Sequence, residues 1–222
     1  MSRRPWAHRI SVTAVSAALS TAALAAVAVP AHAADSADSA ATASPANSAT
    51  ATATATAGKV DYGTWQKDCQ TVMDQALPYL QARIADARPG EKQAIVFDVD
   101  NTTLQTDLGF SIPQAANKPV LNVAQYAQAH GVALFFVTAR PGIIEEPTEW
   151  NLEHDGYRVS GLYVRGFLDL FKDVAAYKTA QRADIENHGY TIIANIGNSA
   201  TDLSGGHAEK TFKLPDYDGQ LS

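Results

Sequence analysis

A doubly wound parallel α/β sheet with helices on both faces is the fold this chain predicts, on three observations. Apolar runs rich in β-branched and aromatic residues at 93–97, 132–137, 161–165 and 190–196 read as buried strands, which are apolar on both faces. Helical patterns separate these runs, and strands alternating with helices imply a parallel sheet. Polar clusters follow the first, second and fourth runs, at the strand ends where open α/β sheets bind ligands.

Taken in order, the chain opens with Arg3, Arg4, His8 and Arg9, an apolar run over 10–29, and Ala31-His32-Ala33. A positive segment, an apolar segment and a small-x-small site together read as a secretory signal peptide at 1–33, cleaved after Ala33. A retained membrane anchor is the rival reading, because the run is long enough to be considered. The run is rich in Ala, Ser and Thr and ends in a cleavage site, so a secreted protein with no stable anchor is expected. Residues 34–58 are almost wholly Ala, Thr and Ser. Such a tract has too little large apolar surface to offset its ordering entropy and is expected to be a disordered linker. The folded domain is then 59–222. Its one cysteine, Cys69, has no internal partner for a disulfide and is expected to be a small buried residue on a helix face. The net charge of −6, without any basic block, gives no electrostatic footprint for nucleic acid.

From 61 to 88 the residues Tyr62, Trp65, Cys69, Val72, Met73, Ala76, Leu77, Leu80 and Ile84 recur at three- and four-residue steps, an amphipathic helix with a kink or split expected at Pro78. The first strand runs directly into Asp98-Val99-Asp100-Asn101-Thr102. Residues 105–118 lack periodicity and read as a loop or small insert. A helix around 120–127 precedes the second strand, which ends in Thr138-Ala139-Arg140-Pro141. Residues 147–154 look helical, with Pro147 in the first turn. A helix at 174–188 carries Lys178, and the fourth strand runs into Gly197-Asn198-Ser199-Ala200-Thr201-Asp202, read as a polar loop. A last short strand covers 211–214.

Singly, these polar residues have ordinary explanations. Asp-x-Asp after a strand is often an Asx turn, a strand-end Thr a cap, a helix Lys a solvated charge. A calcium loop starting at Asp98 is excluded, because its sixth position is Thr103 rather than Gly and its twelfth is Gly109 rather than Glu. Two carboxylates at i and i+2 repel, so a cation or a proton is the natural resolution. His130, His154, His188 and His207 lack metal-ligand spacing and are read as capping or surface residues. Trp65 and Trp150 are read as core or rim.

The joint order is more specific: Phe97-Asp98-x-Asp100-x-Thr102, a strand ending in Thr138, Lys178, then Gly197-Asn198-x-x-x-Asp202. It resembles the four motifs of the haloacid dehalogenase (HAD) superfamily of phosphatases. Val96 to Thr102, Phe135 to Pro141, Asn151-Leu152 before Gly156-Tyr157, and Tyr177-Lys178-Thr179-x-x-Arg182 are similar to the class B acid phosphatases and the plant acid phosphatase or vegetative storage protein group. The resemblance implies a HAD-like fold with a minimal cap and a secreted, Mg²⁺-dependent phosphomonoesterase acting on a small substrate. It implies Asp98 as nucleophile, Asp100 as acid and base, Thr138 and Lys178 on the phosphoryl group, and Asp98, Asp100, Asn198 and Asp202 as the metal set. Arg140 is read either as lining the substrate mouth or as a surface ion-pair residue, and Arg182 as a surface or ion-pair residue. The family usually has Asp where this chain has Asn198, so the site loses a negative charge. A non-catalytic or weakly active extracellular binding or storage protein on the same fold is the alternative. Phosphotransfer to an alcohol through the same intermediate is a third reading.

Overall fold

The structure is a computed structural model that describes residues 60–108 and 111–221; the expected signal peptide and the whole of the expected linker lie outside the described residues. Its elements are α1 (Tyr62–Ala85), β1 (Lys92–Phe97), α2 (Lys118–Ala129), β2 (Ala133–Pro141), α3 (Glu145–Asp155), β3 (Val159–Arg165), α4 (Val174–Asn187), β4 (Tyr190–Gly197), α5 (Ala200–Leu203) and β5 (Thr211–Lys213). The strands form one sheet in the order β3-β2-β1-β4-β5, and every pairing is parallel.

Alternation along the strands explains why helices cover both faces. Ile95, Phe97, Leu134 and Phe136 point to one side, where they pack with Trp65, Cys69, Met73, Ala76 and Leu80 of α1, Val120 and Val123 of α2 and Leu152 of α3. Ala94, Val96, Phe135 and Val137 point to the other side, against Tyr177 and Ile185 of α4. Truncating a buried leucine such as Leu134 in such a core costs about 2–5 kcal/mol. Helix α1 is a single 24-residue helix with Pro78 inside it, so the expected split does not occur. Its start is fixed by Asp61, whose carboxylate accepts from the Thr64 amide at 2.9 Å. Cys69 is buried, and desolvation pushes its thiol up to about 11, which makes it inert. No helix among the described residues is long and apolar enough to cross a membrane.

The strand order places the site. From β1 the chain winds outward through β2 and β3, then returns to the other side of β1 for β4 and β5. The switch point therefore lies between the carboxyl ends of β1 and β4. Asp98 follows β1, and the segment 198–202 follows β4. The excursion after β1 stays small and is pinned at its neck. Asn117, fully buried, donates to the Thr102 carbonyl at 2.9 Å and accepts from Gln66 at 3.0 Å. Asn151 of α3 pairs with both backbone groups of Gln114, each at 2.7 Å.

Candidate active site

At the end of β1 the Asp98 amide donates to the Ile196 carbonyl of β4 at 3.0 Å, which holds the two strand ends together where the chemistry-bearing residues begin. The Asp98 carboxylate is buried. One of its oxygens accepts from Lys178 Nζ at 2.6 Å, and the same ammonium donates to Asp202 Oδ1 at 2.5 Å. The second Asp98 oxygen accepts no hydrogen bond among the described residues. Burial pushes the Asp98 carboxyl up to about 7; the Lys178 charge opposes that rise, while Asp202 and Asp100 add to it. Burial alone would lower the Lys178 ammonium, but its two carboxylates outweigh burial and hold it above the usual lysine range. Lys178 is thus a fixed positive charge between two acids.

Asp100 faces a different cation. Arg140 Nη2 donates to Asp100 Oδ1 at 2.8 Å, and Arg140 Nε lies 3.1 Å from both carboxylate oxygens. Thr106 Oγ1 adds a bond at 2.8 Å and Thr138 Oγ1 a long one at 3.4 Å. Burial raises the Asp100 carboxyl, but the Arg140 hydrogen bonds and charge outweigh it and hold it below the usual range. Of the two readings of Arg140, the surface one is excluded: its side chain is about one-tenth exposed and also donates to Thr148 at 3.0 Å and Gln114 at 2.7 Å. Thr138 is fully buried on β2, and its hydroxyl accepts from the Arg140 amide at 3.2 Å.

The segment after β4 is not a plain polar loop. Ser199 caps the four-residue α5: its hydroxyl accepts from the Thr201 amide, while the Asp202 carboxylate reaches back to the Ser199 amide at 2.7 Å. Asp202 lies directly over Gly197, where a Cβ would sit 2.4 Å from the Asp202 Cβ, so only glycine admits this approach. Asn198 is buried. Its Oδ1 accepts from Thr102 at 3.1 Å and its Nδ2 donates to the Leu221 carbonyl at 2.6 Å.

Arg182 corrects an expectation. It is 1 % exposed rather than on the surface, since it lies one helical turn from Lys178 on the face of α4 that meets the 198–206 segment. Its guanidinium donates to the Asp202 carbonyl at 2.7 Å, to the Gly206 carbonyl at 2.9 Å and to the Ser204 carbonyl. Asp202 is therefore gripped twice from α4, by Lys178 at its side chain and by Arg182 at its backbone. The i, i+4 spacing from Lys178 was the available signal.

Among the described residues no three His, Cys, Asp or Glu side chains group as a metal cage. The reason is visible in the residues: position 198 is an amide, and the Asp100 carboxylate is turned to Arg140. The segments after β1 and β4 offer oxygen from mixed sources instead. The Asp98 carboxylate, the Asn198 amide oxygen, the Asp202 carboxylate and the Asp100 backbone carbonyl are the kinds of oxygen donor that suit Mg²⁺. That ion is commonly held by one or two carboxylates and retains several waters. Among the described residues His130 and His188 cap α2 and α4, His154 stacks on Trp150, and His207 pairs with Glu186 at 2.6 Å.

Comparison with known proteins adds the lineage. The family model described as HAD superfamily, subfamily IIIB (acid phosphatase), matches residues 17–118 and 111–220. Two soybean (Glycine max) proteins, the stem 28 kDa and stem 31 kDa glycoproteins, are each 29% identical over 175 residues. These cover 68% of this chain and 67% and 59% of theirs, so the chain spans less than two thirds of the second. In fold, the class C acid phosphatase from Bacillus anthracis superposes with a TM-score of 0.55 at 16% identity, over 70% of this chain and 79% of that one. Its tungstate-bound form gives 0.54 over the same shares. The parallel sheet agrees with this lineage, and the matched span places the chain in the HAD superfamily, subfamily IIIB, the acid phosphatase family.

Proposed function

We propose that the chain hydrolyses small phosphomonoesters through an aspartyl-phosphate on Asp98. The observation that carries this reading is the Asp98 carboxylate itself, with one oxygen held by Lys178 and the other unpartnered among the described residues. A fixed rotamer with a free oxygen at a sheet switch point is what in-line attack on phosphorus requires. The free oxygen forms the new P–O bond as the bond to the leaving alkoxide breaks. Asp100 gives that alkoxide its proton. In the second half-reaction Asp100 takes a proton from water, the water oxygen attacks phosphorus, and Asp98 leaves as carboxylate with inorganic phosphate as product.

In the resting site Arg140 holds Asp100 ionised, which is the wrong form for an acid. An arriving phosphate dianion competes for that guanidinium. As Arg140 turns to the phosphoryl oxygens, Asp100 loses the charge that held its carboxyl low, and its burial then favours the protonated form. Lys178 and the Thr138 hydroxyl would meet the remaining phosphoryl charge. Mg²⁺, held by Asp98, the Asp100 backbone carbonyl, Asn198 and Asp202, would supply neutralisation of the dianion that lets a carboxylate approach it. Both Asp202 oxygens are already engaged, by Lys178 and the Ser199 amide, whereas Asn198 Oδ1 accepts one bond only. This favours Asn198 as the fuller donor of the two. We also propose that residues 1–33 direct export and that the domain of 59–222 works outside the cell.

The test is hydrolysis of an aryl phosphate with Mg²⁺, comparing the natural chain with Asp98→Asn. A loss of at least about a thousandfold in kcat is expected for the variant. Absence of Mg²⁺-dependent turnover above the variant from about pH 4 to about pH 9 would sink the enzyme reading in favour of a binding or storage role.

A further inference from the structure

Asn198 stands where the resemblance implies an acid, and the residue it touches gives a physical reason for the amide. Its amide nitrogen donates to the Leu221 carbonyl, at 2.6 Å, across 23 residues. A carbonyl only accepts, so the nitrogen must face Leu221 and the oxygen must face Thr102 and the site. An aspartate here would set two acceptors against each other.

Leu221 is held firmly enough to impose this. Its side chain is buried in the core, 3 % exposed, among residues of α1, α2 and the sheet. Its amide donates to the Asp216 carbonyl at 3.0 Å, Tyr217 donates to Asp68 of α1 at 2.7 Å, and Lys213 pairs with Asp216 at 3.0 Å. Between these anchors Tyr217, Asp218 and Gly219 adopt left-handed backbone at φ 51°, 56° and 81°. Two non-glycine residues in that region persist only where the surroundings over-determine them. The turn they make is what returns the chain to Asn198.

We propose that residues 215–221 form a strap whose Leu221 carbonyl is a positioning group for Asn198, fixing its amide so that a neutral oxygen faces the metal side of the site. Asparagine at 198 and the strap are then one device: the amide is needed because half of it is spent on Leu221. The inference rests on the metal role proposed for Asn198, but the contact itself can be tested without metal.

The experiment is a double-mutant cycle of Asn198→Asp with Leu221→Ala in the full chain, read two ways. In metal-free protein, Asn198→Asp lowers the unfolding midpoint by about 3–6 °C, and at least about half of that loss disappears when Leu221 is replaced, because the strap can move away. By calorimetry, Leu221→Ala weakens Mg²⁺ binding by about tenfold, the usual cost of losing a group that orients a ligand. Asn198→Asp then strengthens Mg²⁺ binding more in the Leu221→Ala background than in the natural one. Equal penalties for Asn198→Asp in both backgrounds would overturn the strap. Mg²⁺ affinity within about twofold in Leu221→Ala would overturn its positioning role. Tyr217→Phe, which releases the strap from Asp68 without opening the core, carries the same cycle if Leu221→Ala does not fold. A natural chain that binds no Mg²⁺ would defeat the metal reading while the metal-free cycle still decides the contact.

Discussion

Replacing Arg182 by methionine isolates what its guanidinium does, because methionine keeps the apolar stem and loses every donor. The three carbonyls left behind fare differently. Asp202 O keeps a bond from Asn195 Nδ2 at 2.9 Å, and Ser204 O keeps one from Thr179 at 3.2 Å. Gly206 is exposed, so its carbonyl can turn to water. The real loss is the buried charge-assisted bond to Asp202, about 1.5–3 kcal/mol, plus roughly 0.5 kcal/mol for each solvent-replaceable bond. Relief of the buried guanidinium's desolvation offsets part of it. A net loss of about 2–3 kcal/mol follows, which for a domain of this size lowers the unfolding midpoint by about 4–12 °C. Asp202 also loses one of its two grips, so kcat for an aryl phosphate should fall by about 10–100-fold with KM little changed. Thermal unfolding and steady-state kinetics on one preparation separate the two effects. Arg182→Lys should recover little, since one ammonium cannot bridge carbonyls of three residues. A stability loss below about 1 kcal/mol with unchanged kcat would refute the grip on Asp202.

Two further outcomes follow from the same geometry. Gly197→Ala drives a methyl into the Asp202 side chain, which is held by Lys178 and the Ser199 amide while Arg182 holds its backbone, so it cannot yield cheaply. It should cost about 1–3 kcal/mol in urea unfolding and at least about a hundredfold in kcat. Asp98, raised from its ordinary value to about 7 by burial, binds a proton in the folded state that the unfolded chain lacks between about pH 4 and about pH 7. Stability of the metal-free protein should fall as pH rises through that window. Mg²⁺ should therefore raise the unfolding midpoint more at about pH 8 than at about pH 5, and EDTA should reverse the gain. Calorimetry near pH 6 should register proton release on Mg²⁺ binding. Equal Mg²⁺ shifts at both pH values would contradict the raised carboxyl.

How much of this was legible in the chain depends on the range of each interaction. Strands and helices longer than two turns announce themselves through local periodicity; the positions of Asp98, Asp100, Thr138 and Asp202 followed from the strands they come after or end, and that of Lys178 from the helix before β4. The four-residue α5 has no periodicity to show, although Ser199-Ala200-Thr201-Asp202 matches the capping-box pattern and could have revealed it. Pro78 allowed a kink or a split, and no split occurs because the buried stripe of Trp65, Cys69, Met73, Ala76 and Leu80 holds the helix continuous across it. Arg182 misled because an arginine on a helix is usually solvated; its i, i+4 spacing from Lys178 signals a shared face, but its partners, backbone carbonyls of a distant segment, leave no trace in residue identity. The Leu221 carbonyl is invisible for the same reason.

The charge balance of the site shows what asparagine at 198 changes. Three carboxylates, Asp98, Asp100 and Asp202, face two cations, Lys178 and Arg140, and both cations are already shared or multiply bonded. A fourth acid at 198 would stand unpaired in the metal-free protein, at a buried position where an uncompensated charge costs several kcal/mol. It would also meet the Leu221 carbonyl instead of donating to it. The neutral amide avoids both penalties and keeps one oxygen for a hard cation, but gives up the attraction of a full charge. The arrangement thus favours a fold that stands without its metal over tight hold of the metal. That exchange predicts an enzyme whose activity follows the Mg²⁺ concentration over a wide range while its unfolding midpoint near pH 5, where Asp98 keeps its proton, stays almost unchanged.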